Sequence, residues 1–178
     1  MPSLYLLRHA EPAVTGVLLG QSNPSLSDAG RQQASKVQVP SFAACYTSPL
    51  LRSVETAAAL NVPTTIIPDL REITYGEWDG RVWADIEQRW PDIARRKMLD
   101  WTGVTPPGGE AWAAFEQRVS AALDAILKMP LPALLIGHEA VHSVIAARVA
   151  GEDPTTFQQS YCELVELPIT READSTPP

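Results

Sequence analysis

Leu4-Tyr5-Leu6-Leu7-Arg8-His9-Ala10-Glu11 opens the chain with an apolar run that ends abruptly on an Arg-His pair. Residues 4–7 show no alternation of apolar and polar positions, the pattern of a strand covered on both faces, as in the parallel sheets of α/β proteins. Ligands of such sheets gather in the crevice beyond the carboxyl ends of the strands. Arg8 and His9 therefore stand where chemistry is expected. Taken alone, the pair reads better as a surface arginine beside a capping histidine, so the rest of the chain decides.

Outward from that strand, strand and helix patterns alternate. Ser27 is placed to cap a helix from Asp28 to about Val37, and Phe42 to Tyr46 reads as a second strand. Ser48 and Pro49 suit the N-cap and first helical position of a helix running from Leu50 to Leu60. Thr64 to Ile67 is a β-branched third strand, Ala133 to Ile136 a buried fourth, and Tyr161 to Leu167 a last one. Trp112, Phe115, Val119, Ala122, Leu123 and Ile126 fall at three-and-four spacing within a helix from Glu110 to Lys128, and another helix runs from Ala140 to Ala150, ended by Gly151. This order predicts one α/β domain over residues 1–178, a three-layer α/β/α arrangement around a mainly parallel sheet.

Residues 75–109 interrupt the alternation. Short helical pieces at about 84–89 and 93–99 are broken by Pro91 and closed by Pro106-Pro107-Gly108-Gly109, which reads as a small helical lid. Trp78, Trp83, Trp90, Trp101 and Trp112 all fall in the lid or at the start of the next helix, where they are expected to pack the lid onto the domain or to wall the site. A frayed tail is expected over about 171–178.

The chain's 178 residues carry a net charge of −7, which argues against a nucleic-acid partner, and no apolar stretch has the length of a membrane span. Met1-Pro2-Ser3 lacks a basic n-region, so the cytoplasm is the expected address. Cys45 and Cys162 sit in apolar, strand-like segments and read as buried thiols.

The loops after the predicted strands bring together Arg8 and His9, Ser48 and Arg52, Glu72, and His138. Two arginines, two histidines and a carboxylate suit phosphoryl transfer, where the protein's task is positioning and charge stabilisation. Planar guanidinium forks match phosphoryl oxygens, and a neutral imidazole has the lone pair a covalent nucleophile needs. Backbone N–H groups at the helix starts after Ser48 and His138 are expected to add to the anion site.

In these features the chain resembles the histidine phosphatase superfamily, which includes cofactor-dependent phosphoglycerate mutases and α-ribazole phosphatase. The matching segments are residues 6–11 (LLRHAE), 20–34 (GQSNPSLSDAGRQQA), 46–58 (YTSPLLRSVETAA), 70–80 (LREITYGEWDG), 107–110 (PGGE) and 134–138 (LLIGH), in family order across nearly the whole chain. The resemblance implies that His9 attacks phosphorus, Arg8 and Arg52 bind the phosphoryl group, His138 completes the pocket, and Glu72 acts as acid and base. A small phosphorylated metabolite is the expected substrate, with no cofactor, and no metal is expected because Arg8, Arg52, His138 and the helix starts already provide the positive charge. The chain is short for the family's mutases, so hydrolysis is the expected outcome and mutase-type transfer the alternative.

Three positions depart from the family pattern. Ala10 stands where glycine is usual, Glu139 follows the second histidine where a small residue is common, and no asparagine follows the first motif among residues 12–16, with Gln21 and Asn23 as substitutes. Glu139 is expected to point away from the pocket or to pair with an arginine. These departures leave room for a member that binds a phosphorylated ligand without turning it over. A remote alternative is a zinc hydrolase, since His138-Glu139-Ala140-Val141-His142 fits H-E-x-x-H, with Glu163 or Glu166 as a third ligand. Otherwise His142 is expected behind the site or on the helix surface.

Overall fold

The computed structural model describes residues 2–169; the tail expected over 171–178 lies outside them. The elements are β1 (Ser3–Arg8), α1 (Asp28–Ala34), β2 (Ala44–Thr47), α2 (Leu51–Ala59), β3 (Thr65–Ile66), α3 (Trp83–Arg89), α4 (Pro91–Leu99), α5 (Trp112–Ile126), β4 (Ala133–Gly137), α6 (Glu139–Ala150) and β5 (Leu164–Pro168). Two 3₁₀ turns, Pro68–Leu70 and Gly76–Trp78, lie between β3 and α3. Among these elements no helix is long and apolar enough to cross a membrane.

The strands form one sheet in the order β3-β2-β4-β1-β5, parallel except for β5, which runs antiparallel to β1. Strand alternation divides the core. Leu4, Leu6, Ala133 and Leu135 point to one face, against Phe115, Val119 and Leu123 of α5 and Val141, Val144 and Ile145 of α6. Leu7, Cys45, Leu134 and Ile136 point to the other, against Ala57 of α2, and α1 packs beside α2. This is the α/β/α layering expected. The chain leaves β1 for α1, beside α2 on one face of the sheet, and leaves β4 for α6 on the other, so the connections from these two adjacent strands part to opposite faces and open a crevice at their carboxyl ends.

Several boundaries differ from expectation for identifiable reasons. Ser27 does cap α1, its side chain accepting from Gly30 N, but the helix stops at Ala34 in a tightened turn. Ser48 is not the cap of α2. The helix begins at Leu51, whose N–H is met by Asn23 Oδ1 at 2.7 Å from across the chain, while Ser48 Oγ accepts from Leu50 N at 3.2 Å. Pro91 does not merely break a helix; it opens α4 directly after α3. Residues 161–163 are not strand, because Cys162 takes a left-handed φ of 58° and the chain turns before pairing with β1, so its thiol is half-buried rather than in the core.

The lid has a core of its own. Trp78, Ile86 and Ala94 are buried together, with Leu18, Tyr75, Trp83, Trp90 and Ile93 packed around them. Trp78 meets Trp83 edge-on at 5.8 Å and Trp90 at 6.2 Å, and Trp101 lies 6.4 Å from both Trp83 and Tyr75. Trp112 belongs to the main core instead, 5.3 Å from Phe115. The indoles thus supply the apolar area that short helices cannot bury alone.

Candidate active site

Pairing of β1 with β4 sets His9 beside His138. His9 N donates to Gly137 O at 2.9 Å, and the two rings lie 5.2 Å apart in an edge arrangement. The helix α2 then turns Arg52, Ser53 and Thr56 inward on one face. Arg52 is wholly buried; its Nε–H donates to His9 Nε2 at 3.2 Å, while Nη1 and Nη2 donate to the carbonyls of Ser22 (2.8 Å) and Gly20 (2.7 Å). A guanidinium has five N–H groups, so two remain for an anion.

The bonds to His9 assign its tautomer. Nδ1 lies 2.7 Å from the carbonyl of Ala10, which only accepts, so Nδ1 carries the proton and Nε2 is left with its lone pair. Thr56 braces this arrangement: its hydroxyl donates to Arg52 O at 2.6 Å and accepts from Ala10 N at 2.9 Å. Burial holds the His9 pKa down to about 3, helped by the positive charges of Arg52 and Arg8 and opposed by the bond to Ala10. The ring is neutral at any ordinary pH. His138 is also held well below the usual imidazole range, by burial first and then Arg52. Its Nε2 is 2.8 Å from Ser48 Oγ and 3.4 Å from Ser53 Oγ, and its buried Nδ1 has no partner.

Glu72 sits in the turn after Pro68–Leu70 and is 7% exposed. Oε1 accepts from Ile73 N at 2.9 Å and Oε2 from Ala140 N, at the start of α6, at a longer 3.4 Å. Burial raises its pKa above the ordinary carboxylate range, against the pull of those amides and of Arg52. A carboxyl shifted in this direction is better suited to hold a proton and then give it up. The turn is fixed by Arg118, which pairs with Glu110 at 2.7 Å and donates to the carbonyls of Asp69, Arg71 and Glu72.

The helix starts contribute less than expected. Leu50 N is met by Ser48 Oγ and Leu51 N by Asn23, and Ala140 N by Glu72, so these donors are engaged within the protein.

A family model described as histidine phosphatase superfamily (branch 1) matches residues 4–175. The chain belongs to the histidine phosphatase superfamily. A bifunctional protein of Mycobacterium tuberculosis is 30% identical over 157 residues, covering 82% of this chain and 41% of the relative, so this chain spans about two fifths of that relative's length. Adenosylcobalamin/alpha-ribazole phosphatase of Escherichia coli is 29% identical over 160 residues, covering 83% of this chain and 79% of that one. The crystal structure of alpha-ribazole phosphatase from Shigella flexneri superposes with a TM-score of 0.85 at 27% identity, covering 95% and 91% of the two chains.

Against that family, each departure finds a structural reading. Ala10 is fully buried but does not take a positive φ, so the backbone there needs no glycine. Gln21 reaches the site's edge, its amide donating to Glu72 O at 3.2 Å, whereas Asn23 is occupied as a helix cap. Glu139 pairs with Arg8, Oε2 to Nη1 at 2.7 Å, one of the two placements expected. The H-E-x-x-H geometry is not formed. His138 has extended backbone before α6 rather than lying within it, Glu139 is bound to Arg8, and His142 Nδ1 bonds Gln159 at 2.7 Å. Among the described residues no three His, Cys, Asp or Glu side chains group as metal ligands. His142 is therefore behind the site, fully buried, and not on the surface.

The sequence reading missed four contributors. Ser53 and Thr56 lie one and four residues beyond Arg52, a helical spacing that marks them in retrospect. Asp79 accepts from the backbone N–H groups of Gly20, Gln21 and Ser22 and so shapes the loop that Arg52 grips. Tyr161 has its ring 5.5 Å from that of His9 and 4.6 Å from the Arg8 Cζ; nothing in its local sequence signals this, because the contact depends on the turn before β5.

Proposed function

We propose that the protein is a phosphatase hydrolysing a small phosphomonoester through a phosphohistidine at His9, without a metal ion. The observation that carries this reading is the neutral His9 ring with Nε2 unprotonated and faced by a buried arginine. Relatives that carry phosphatase names support the same chemistry.

In the first step the His9 Nε2 lone pair attacks phosphorus and the bond to the ester oxygen breaks, while Glu72 gives its proton to the departing alcohol. Arg8 and Arg52 neutralise charge on the equatorial oxygens, and the neutral His138 ring adds a hydrogen-bond donor. In the second step Glu72, now a carboxylate, takes a proton from water. The water oxygen bonds to phosphorus, the N–P bond breaks, and inorganic phosphate leaves with His9 restored. Three cationic or donor side chains held in a buried crevice supply what a metal otherwise would.

α-Ribazole 5′-phosphate is the substrate this reading puts first, from the names of the relatives, with phosphoserine and sugar phosphates tested beside it. A panel including these and 3-phosphoglycerate, with and without bisphosphoglycerate, followed in chelator for phosphate release and isomer formation, tests it. Phosphate release that survives chelation is expected. Isomer formation without release would establish a mutase, zinc-restored activity a metalloenzyme, and binding without turnover a ligand-binding member.

A further inference from the structure

Glu139 places a carboxylate directly after His138, beside a site for an anion. Unpaired, it would repel a phosphoryl group. It is held instead on two sides: Oε2 contacts Arg8 Nη1 at 2.7 Å, and Oε1 accepts from Gln159 N at 3.2 Å. Gln159 is itself fixed, its amide donating to Leu6 O and Glu163 O at 2.9 Å and its oxygen meeting His142. The Gln159 carbonyl also accepts from Arg8 Nη1. Both attachments of the guanidinium therefore fall on one nitrogen, and Tyr161 lies against its plane. What is left over is the opposite edge. Nε is buried without a partner, and no described residue accepts from Nη2. Nε–H and Nη2–H point the same way, and this edge is one of the two forks by which arginine meets a pair of phosphoryl oxygens.

We propose that Glu139 is a positioning residue, anchoring Arg8 by Nη1 so that the free Nε–Nη2 edge is already set for the phosphoryl group before substrate arrives. The inference rests on the phosphatase reading of the site. Two effects oppose each other: the carboxylate weakens the field of Arg8, and it removes the need to order a long flexible side chain on binding. The pair lies near the surface, with side chains 21% and 35% exposed, so solvent screens the first effect while the second persists.

The test is titration of the whole protein with inorganic phosphate by calorimetry, with steady-state kinetics on an aryl phosphate. Glu139→Ala is expected to weaken phosphate binding by about three- to tenfold, the size of one ordered side chain. KM should rise alike while kcat stays within about twofold, because ordering is a binding term. Glu139→Gln, which keeps an acceptor in place, should recover most of the loss. In an Arg8→Ala background Glu139→Ala should have no further effect. Unchanged or tighter phosphate binding by Glu139→Ala overturns the proposal, as does equal weakening in the Arg8→Ala background or a Gln variant as weak as the Ala variant. Failure of the unaltered protein to bind phosphate or release it from any ester overturns the phosphatase reading and this inference with it; normal binding and turnover with no effect of Glu139→Ala overturns this inference alone.

Discussion

Replacing Glu72 by glutamine removes the proton that the proposed mechanism gives to the leaving group while leaving most of the local structure intact. The Oε1 bond from Ile73 N at 2.9 Å can be kept by the glutamine carbonyl; only the 3.4 Å contact with Ala140 N is exchanged for an amide facing an N–H. That exchange costs about 1 kcal/mol at most, offset in part because a buried carboxyl no longer has to ionise. Global stability should hardly move at neutral pH. Activity should move a great deal, because a general acid contributes about 10²- to 10⁴-fold, or about 3–5 kcal/mol of barrier. An alkyl phosphate, whose alkoxide needs protonation, should lose that full factor. A p-nitrophenyl ester leaves as a stabilised anion and should lose less than about tenfold in the phosphorylation step. Single-turnover rates on the two esters, with urea unfolding as the control for folding, provide the comparison. Equal losses on both esters would refute the acid role and make Glu72 a structural carboxyl.

Other expectations follow from the same contacts. Thr56→Val keeps the shape of the side chain but leaves Ala10 N–H buried and unpaired, so urea unfolding should show a loss of about 1–3 kcal/mol with reduced kcat. His9 and His142 have folded pKa values near 3 and 4, below the unfolded value of 6.5, so the unfolded chain binds more protons. The stability they confer is complete above pH 6.5 and lost progressively as pH falls towards 4 and 3, which denaturant midpoints between pH 7 and 4 will report. Glu72 has the opposite sign: its raised folded pKa means stability declines as pH rises through it, and the slope should flatten in Glu72→Gln. Gly30→Ala adds a methyl 2.1 Å from Glu11 O; the helix preference for alanine, about 1 kcal/mol, is outweighed by a backbone clash, so thermal unfolding should show net destabilisation.

Much of the architecture was legible because it depends on local pattern. The uninterrupted apolar runs of β1 and β4 marked central strands, and the three-and-four spacing from Trp112 to Ile126 marked α5. Arg8, His9, Arg52, Glu72 and His138 converge because each follows a strand or starts a helix at the same sheet edge. What escaped was supplied across the chain. Asn23 meets the first helical amide, Leu51 N, while the Ser48 hydroxyl accepts from Leu50 N and also meets His138. Asp79 gathers the amides of a loop 57–59 positions away, and Tyr161 reaches Arg8 only through the turn made at Cys162. Partners set by tertiary contact leave no periodic trace in the sequence around them.

The central claim is that His9 Nε2 becomes phosphorylated during turnover. Rapid quenching of the protein with labelled phosphomonoester, under alkaline conditions that preserve a phosphoramidate, followed by peptide mapping, tests it most directly. The account predicts label on His9 alone, acid-labile and base-stable, formed at least as fast as phosphate is released and absent from a folded His9→Ala variant. Steady phosphate release with no trapped label, or continued release by His9→Ala at the rate of the unaltered protein, would contradict it.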